Sequence, residues 1–168
     1  QGGATAQFAA IPLNLTTSES VVDIVNTGAW SKKAIAEAKK YCKVNVVADA
    51  AAGNYPHVPA QAEWQRSAGA AYLHYTPNDT IGGVEFSFIP QVEVPLVADF
   101  SSTILSRPLD VSRYGVIYDG AQKNIGPAGL VVVIVRDDLL GRARADVPTV
   151  FDWKNMAADG SMYNTPAT

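Results

Sequence analysis

Cysteine and histidine are scarce in this sequence, which has one cysteine, Cys42, and two histidines, His57 and His74, among its 168 residues. A lone cysteine excludes a disulfide within the chain, and no cluster of cysteine and histidine has the spacing of a zinc site. We therefore expect no bound metal. Because an unpaired cysteine is typical of proteins from reducing compartments, the sequence favours the cytoplasm.

Long charged runs and long apolar runs are also missing. Charged residues make up 17% of the sequence, the formal net charge is −3, and the basic residues form no sustained run. This excludes a strongly basic surface for nucleic acid or an anionic membrane, and leaves small acids or another protein as partners. The longest apolar run, residues 129–135, is far shorter than the roughly 20 residues that span a membrane, and the first residues do not resemble a signal peptide.

Apolar residues are plentiful, at 48% of a length that suits one domain with a sizeable core. The sequence opens at Gln1 directly on a glycine pair and contains no internal repeat or linker. We expect an excerpt of a longer protein that comprises most of one domain.

The apolar pattern predicts an α/β fold. Helical patterns cover residues 5–15, 29–41 and 60–66, with Pro12 expected to limit the first helix. Short apolar runs typical of strands cover residues 21–25, 44–47, 70–75, 92–98, 114–118 and 130–135. Continuous apolar strands suit a sheet that is covered on both faces, so the sequence predicts a mixed, largely parallel sheet flanked by helices.

Three segments carry residues suited to chemistry. Asp99 directly follows an apolar strand, where ligands of α/β sheets collect, although an aspartate there could equally cap the next element. Lys123 is the single lysine of a glycine-rich loop between two apolar runs; a desolvated amine there could form an imine with an aldehyde, whereas most loop lysines are simply solvated. The Gly2-Gly3 pair before a helix could cradle a phosphate or form an ordinary turn.

Together these segments resemble the phosphoserine aminotransferases, which are class V aminotransferases of the fold-type-I pyridoxal-phosphate superfamily. The longest match is ADFSSTILSRPLDVSRYGVIYDGAQKNIGPAGLVVVIVRDDLL at residues 98–140, with QKNIGPAG as its most diagnostic part. Further matches are QGGATAQFAAIPLNL, NTGAWSKKAIAEAKKY, YLHYTPNDTIGGVEF and GSMYNTP, in the family's order. The resemblance therefore covers essentially the whole chain and implies the large-domain fold of these enzymes.

The resemblance implies two catalytic residues. Lys123 would hold pyridoxal 5'-phosphate as a Schiff base and then move the proton between the substrate carbon and the cofactor. Asp99 would pair with the pyridine nitrogen and keep it protonated, which makes the ring an electron sink.

The resemblance also implies the remaining cofactor contacts. Trp30 would stack on the ring, and Thr80 would bind the phenolic oxygen, next to Asp79 where the family commonly has glutamate. The residues implied to bind the phosphate are Gly3, Ala4, Thr5 and Gln122, together with Asn164 and Thr165 of the neighbouring subunit. Many bacterial relatives have arginine in place of Thr5, so a substrate-phosphate contact at that position is in doubt.

The implied activity is transamination between 3-phosphohydroxypyruvate and glutamate, giving O-phosphoserine and 2-oxoglutarate in serine biosynthesis, with a role in pyridoxine biosynthesis in some relatives. The implied assembly is a homodimer with shared active sites, with residues 1–168 as the cofactor-binding large domain and with an N-terminal segment and a C-terminal small domain outside the sequence. Two alternatives remain: another class V enzyme, such as an alanine–glyoxylate aminotransferase or a cysteine desulfurase, and a catalytically inactive fragment.

Other reactive side chains match no catalytic role. We interpret His57 and His74 as structural, and Cys42 has no neighbouring cation in the sequence that would activate a thiolate. Arg107 is expected to form a structural ion pair rather than to bind an anion.

Overall fold

A six-stranded sheet forms the centre of the molecule. The computed structural model describes residues 2–53, 55 and 57–163. The strands are β1 (Val21–Asn26), β2 (Lys43–Asp49), β3 (Leu73–Tyr75), β4 (Asn78–Asp79), β5 (Val84–Glu85), β6 (Leu96–Asp99), β7 (Val116–Gly120) and β8 (Val131–Val135). The helices are α1 (Gly3–Leu15), α2 (Ala29–Ala38) and α3 (Trp153–Ala158).

The order of the strands confirms the predicted sheet. The six strands lie in the order β2-β1-β3-β6-β7-β8, and every neighbouring pair is parallel except β7 and β8, which are antiparallel. The remaining strands, β4 and β5, form a separate antiparallel hairpin. The carboxyl ends of β1, β3, β6 and β7 therefore meet at one edge of the sheet, where loops can collect functional side chains.

Both faces of the sheet are covered, which explains why its inner strands read as continuous apolar runs. One core contains Phe8, Val22 and Tyr118 and includes residues of α1 and α2. The other core lies on the opposite face and contains Leu73, Tyr75 and Phe86.

The first helix corrects one expectation. Helix α1 continues through Pro12 to Leu15, so the prediction that Pro12 limits its length was wrong. Proline removes one helical N–H, but Phe8 and Ile11 of the same helix are buried in the core, and that packing outweighs the lost hydrogen bond. The backbone N–H and the hydroxyl of Thr16 both donate to the carbonyl of Pro12 and close the last turn.

Element lengths also differ from the predictions. Helix α2 ends at Ala38, three residues early, and the helical pattern of residues 60–66 yields only a single 3-10 turn, Gln61–Glu63. Strands β3 and β6 are shorter than the apolar runs that predicted them. The β4–β5 hairpin and α3 were not predicted, because elements of two to six residues carry too little periodicity to detect.

Candidate functional site

A cleft of about 150 Å³ lies at the edge where the parallel strands end. It joins segments that are distant in sequence: the start of α1, the start of α2, the loop before β4, the end of β6 and the loop after β7. The lining residues are Gly3, Ala4, Thr5, Phe8, Trp30, Thr76, Asn78, Asp99, Ser101, Ser102, Gln122 and Lys123. Most of the residues implied by the resemblance are therefore brought together.

Lys123 is half-buried in the loop that follows β7. Its ammonium Nζ donates hydrogen bonds to the hydroxyls of Thr80, at 2.7 Å, and Ser102, at 3.2 Å. The same nitrogen lies 4.8 Å from the ring centroid of Trp30, within the range of a cation–π contact. These contacts hold the amine at the cleft beside an aromatic face.

Asp99 is the last residue of β6 and only 5% of it is exposed. Its Oδ1 accepts hydrogen bonds from the backbone N–H of Ser101, at 3.1 Å, and from the Ser101 hydroxyl, at 2.6 Å. Burial raises the pKa of Asp99, and the hydrogen bonds from Ser101, the charge of Lys123 and the Tyr118 side chain oppose that rise. A buried carboxylate with few charged neighbours is suited to receive a cationic group.

The amino end of α1 forms one wall of the cleft. Gly2 and Gly3 have φ of 81° and 72°, a left-handed conformation that glycine adopts without strain. The helix has no side-chain cap and no acidic residue in its first turn. Because the first amides of a helix lack partners within the helix and carry its positive dipole end, Gly3, Ala4 and Thr5 are suited to an anion.

Asp79 connects Trp30 to the Thr80 loop. Its Oδ2 accepts the backbone N–H of Trp30 at 3.0 Å, and its Oδ1 accepts the N–H groups of Ile81 and Gly82 at 3.1 and 3.2 Å. The side chain is fully buried, and a Cβ added at Gly28 would lie 2.2 Å from Asp79 Oδ2. Sequence reasoning treated Asp79 only as a conservative replacement and missed this role.

The two remaining sets of implied phosphate contacts differ in how far they can be described. Gln122 is exposed and lines the cleft beside Gly120. Asn164 and Thr165 lie outside the described residues. Within the part of the chain that is described, Trp30 Nε1 and Thr76 Oγ1 are buried and have no hydrogen-bond partner, so the lining retains unused polar capacity.

The two histidines, Cys42 and Arg107, for which the resemblance implies no catalytic role, are not part of the cleft lining. His57 is exposed, and Arg107 forms an ion pair with Glu85, as expected of a structural role. Cys42 is buried, and burial raises the pKa of its thiol, which disfavours the reactive thiolate. His74 is buried on β3, with Nε2 2.8 Å from the hydroxyl of Tyr118, a residue that sequence reasoning did not single out.

Metal-binding clusters and membrane-spanning helices are both absent from the described residues. No group of three or more His, Cys, Asp or Glu side chains among them is arranged to hold a metal ion. No helix among them is long and apolar enough to cross a membrane.

Comparison with known proteins confirms the resemblance that the motifs indicated. A phosphoserine aminotransferase of Pseudomonas entomophila is 63% identical over all of this chain and 47% of its own length. The structure of phosphoserine aminotransferase from Bacillus circulans subsp. alkalophilus superposes with a TM-score of 0.94 at 45% identity, over 99% of this chain and 46% of that one. The pyridoxal-phosphate-bound phosphoserine aminotransferase of Trichomonas vaginalis gives a TM-score of 0.88 at 44% identity, over 99% and 48%.

The chain thus spans about half the length of the relatives that it matches. The family profile of Aminotransferase class-V matches residues 1–165, nearly the whole sequence. With the largely parallel sheet and the cleft at its carboxyl edge, this match shows that the chain belongs to the class-V aminotransferase family.

Proposed function

We propose that residues 1–168 form the cofactor-binding large domain of a phosphoserine aminotransferase. This enzyme would transfer an amino group from glutamate to 3-phosphohydroxypyruvate with the help of pyridoxal 5'-phosphate. The observation that carries the proposal is the convergence of a lysine amine, a buried carboxylate and an uncapped helix start on one cleft.

The lining fits pyridoxal phosphate group by group. The uncapped start of α1 suits the phosphate dianion, the Lys123 amine suits the aldehyde, and the Asp99 carboxylate suits the basic ring nitrogen. The indole of Trp30 offers a face for the ring. Thr80 is not itself a lining residue, but its hydroxyl contacts Lys123 Nζ and offers a partner for the phenolic oxygen. Gln122 and, from the neighbouring subunit, Asn164 and Thr165 would complete the phosphate site.

When bound, pyridoxal phosphate supplies an aldehyde for covalent attachment and a pyridinium ring that withdraws electrons from the substrate carbon. Asp99 would hold a proton on the ring nitrogen, because a buried carboxylate is stabilised by an adjacent cation. Its Oδ1 is already occupied by Ser101, which fixes the carboxylate plane and leaves Oδ2 for that contact.

Lys123 Nζ would attach the cofactor and, once displaced by the amino-acid substrate, would move the proton during transamination. The hydroxyls of Thr80 and Ser102 hold Nζ within the cleft, so the released amine would stay close to the reacting carbon. Asp79 supports this arrangement, because it ties the Thr80 loop to the backbone of Trp30.

The choice of phosphoserine chemistry over other class-V reactions rests on similarity. The first relatives compared are all phosphoserine aminotransferases and are 60–63% identical over the whole chain. Guanidinium groups that would bind the dianionic substrate are expected outside this sequence, and Thr5 offers a hydroxyl where many bacterial relatives have arginine. A further role in pyridoxine biosynthesis stays a prediction.

Assembly and location also belong to the proposal. A contribution of Asn164 and Thr165 to a neighbour's phosphate site implies a two-fold homodimer with two composite sites. A cytoplasmic location agrees with the single cysteine, Cys42, which is buried and unpaired.

The test is chemical labelling of the full-length enzyme. After incubation with pyridoxal phosphate, borohydride reduction and peptide mapping should recover the pyridoxyl label on Lys123. Turnover of 3-phosphohydroxypyruvate with glutamate should exceed turnover of glyoxylate with alanine. Label on Lys154 instead, or a preference for glyoxylate, would refute the proposal.

A further inference from the structure

Three buried polar side chains lie next to one another on the sheet face that carries α1 and α2. Tyr118 of β7 lies beside Asp99 of β6 in the strand register, and His74 of β3 lies beside Val97 of β6. The Tyr118 hydroxyl reaches across β6 to His74 Nε2, at 2.8 Å. All three polar residues are at most 5% exposed, so water does not compete for their hydrogen bonds.

The protons of this group can be assigned. Burial lowers the pKa of His74 to about 4, so its ring is neutral at pH 7 and carries one N–H. Burial also raises the pKa of Tyr118 well above its usual range, so the phenol keeps its proton. One hydrogen therefore lies between Nε2 and the phenolic oxygen, and it belongs either to His74 or to Tyr118.

Burial of the other ring nitrogen decides between the two arrangements. His74 Nδ1 is buried and has no hydrogen-bond partner among the described residues. If Tyr118 donated to Nε2, the His74 hydrogen would sit on Nδ1 as a buried, unpaired donor, which proteins rarely tolerate. If Nε2–H donates instead, Nδ1 keeps only a lone pair and the Tyr118 hydrogen is free for Asp99.

The Asp99 carboxylate can accept the Tyr118 hydroxyl hydrogen. Both hydrogen bonds from Ser101 go to Oδ1, so Oδ2, which has two lone pairs, can accept from Tyr118 as well as from the ring nitrogen. Tyr118, the register partner of Asp99 on the neighbouring strand, lies beside the carboxylate and counteracts the rise in the pKa of Asp99 that burial causes. In this arrangement His74 donates to the Tyr118 hydroxyl, and the Tyr118 hydroxyl donates to the Asp99 carboxylate.

We propose that His74 and Tyr118 are positioning residues, whose hydrogen bonds run from His74 Nε2–H to the Tyr118 hydroxyl and on to Asp99, and keep that carboxylate ionised and oriented for the cationic ring nitrogen of the cofactor. This inference rests on the proposed function, because it concerns how Asp99 meets that nitrogen. His74 is therefore more than a packed core residue.

The test compares two ligands that differ only at the ring nitrogen. The full-length apoenzyme is titrated with pyridoxal phosphate and with its analogue in which carbon replaces that nitrogen, and the ratio of the two dissociation constants is measured. Tyr118→Phe should reduce the preference for pyridoxal phosphate roughly tenfold, the value of one hydrogen bond to a charged group. A merely structural role would weaken both ligands equally and leave the ratio unchanged.

The His74 variants test the direction in which the hydrogen bonds run. His74→Phe should reduce the ratio less than Tyr118→Phe does, since Tyr118 still contacts Asp99. In the double variant His74→Phe/Tyr118→Phe, the ratio should be no lower than in Tyr118→Phe alone. His74→Gln should restore the ratio, because an amide N–H can donate to Tyr118. The matched control is Tyr75→Phe, which removes a buried tyrosine hydroxyl that bonds Tyr114 in the opposite core and should leave the ratio unchanged.

Two outcomes would overturn the inference. The first is a folded Tyr118→Phe variant with the ratio of the unaltered enzyme. The second is a ratio in the double variant that falls below the ratio of Tyr118→Phe alone, which would show that His74 acts independently of Tyr118. If the unaltered enzyme already bound both ligands equally, the role proposed for Asp99 would fail, and this inference with it.

Discussion

Lys123 Nζ donates a 2.7 Å hydrogen bond to the hydroxyl of Thr80, although 43 residues separate the two along the chain. This bond joins the loop after β7 to the turn between β4 and β5, and it sets the direction in which the amine enters the cleft. Its removal gives the first prediction.

Thr80→Val should slow the attachment of pyridoxal phosphate to Lys123 roughly tenfold, because the amine loses its nearest acceptor while the side chain keeps its shape. The change should leave stability nearly unaltered, since Thr80 is exposed. Absorbance changes on mixing apoenzyme with cofactor provide the rate. Thr80→Ser keeps a hydroxyl and should react at nearly the original rate; equal slowing by both variants would contradict the role of this bond.

Asp99→Asn should lower transamination roughly a hundredfold or more, because the amide keeps the packing but cannot hold a proton on the ring nitrogen by charge. Steady-state kinetics of the full-length enzyme measure the loss. The control is Asp23→Asn, which alters a second buried aspartate of the sheet that bonds Asn45 and Ser67. That control should cost stability and spare the turnover of folded enzyme. Near-normal turnover of Asp99→Asn would remove Asp99 from the mechanism.

Gly28→Ala should destabilise the fold by about 1–3 kcal/mol, because the new methyl would collide with the Asp79 carboxylate that holds Trp30. The backbone at Gly28 is extended, so the cost is steric and not conformational. Denaturant unfolding measures it, and the Trp30 environment should change in fluorescence. Gly82→Ala is the matched control, since its methyl would meet only Val84, at 3.7 Å. Similar stabilities for both variants would refute the tight contact.

Asp119 gives a prediction about pH. It is fully buried on β7, both its carboxylate oxygens lack a partner among the described residues, and burial together with the charge of Asp99 raises its pKa to about 6. Between pH of about 4 and 6 the folded state therefore holds a proton that the unfolded state has lost. Its contribution to the free energy of unfolding falls as pH rises through this window and is constant above it.

Asp119→Ala removes that dependence. Relative to the unaltered chain, the variant should gain up to about 3 kcal/mol in stability between pH 4 and pH 8, whatever its cost in packing. Urea unfolding of the 168-residue chain at several pH values measures the difference. Asp159→Ala, at an exposed position, serves as the control and should show no such gain. A constant difference between Asp119→Ala and the unaltered chain would show that the carboxyl does not titrate in this window.

The proposed dimer with shared sites predicts complementation between inactive subunits. Full-length Lys123→Ala and Asn164→Ala/Thr165→Ala enzymes are mixed under conditions of subunit exchange. In a mixed dimer one site receives both lesions and the other none, so random exchange should restore activity to about one site in four. Verified exchange without any return of activity would show that the pair does not act on the neighbouring subunit.

The sequence predicted the fold well where long apolar runs carried it. The inner strands β1, β6 and β7 are buried on both faces, so their composition alone marks them. Helix α1 was placed correctly but its passage through Pro12 was not, because tertiary packing there overrides a local rule. The β4–β5 hairpin has strands of two residues, too short for any periodic signal.

In the candidate site, too, the sequence identified residues that lie in local motifs and missed residues whose roles depend on tertiary contacts. Lys123 and Asp99 stand out because motifs of adjacent residues surround them. The roles of Asp79, Tyr118 and His74 depend on contacts between segments far apart in the chain, and no local pattern reports such contacts. An acidic residue such as Asp79 stabilises the positive end of the helix dipole at a helix start. Nothing in the sequence, however, identifies the helix that it contacts.

The spread of the cleft over the chain has a consequence for biosynthesis. The start of α1 is synthesised before the β4–β5 hairpin and β6, and the Lys123 loop follows β7. Lys123 there contacts Thr80, next to β4, and Ser102, after β6. Parallel strands need their partners before they gain stability, so such long-range contacts form late. A nascent chain that ends at β6 already carries Asp99 and the glycine turn, yet it lacks Lys123, the residue proposed to attach the cofactor. If Lys123 attaches the cofactor as proposed, covalent loading would wait until the loop after β7 has been synthesised and folded.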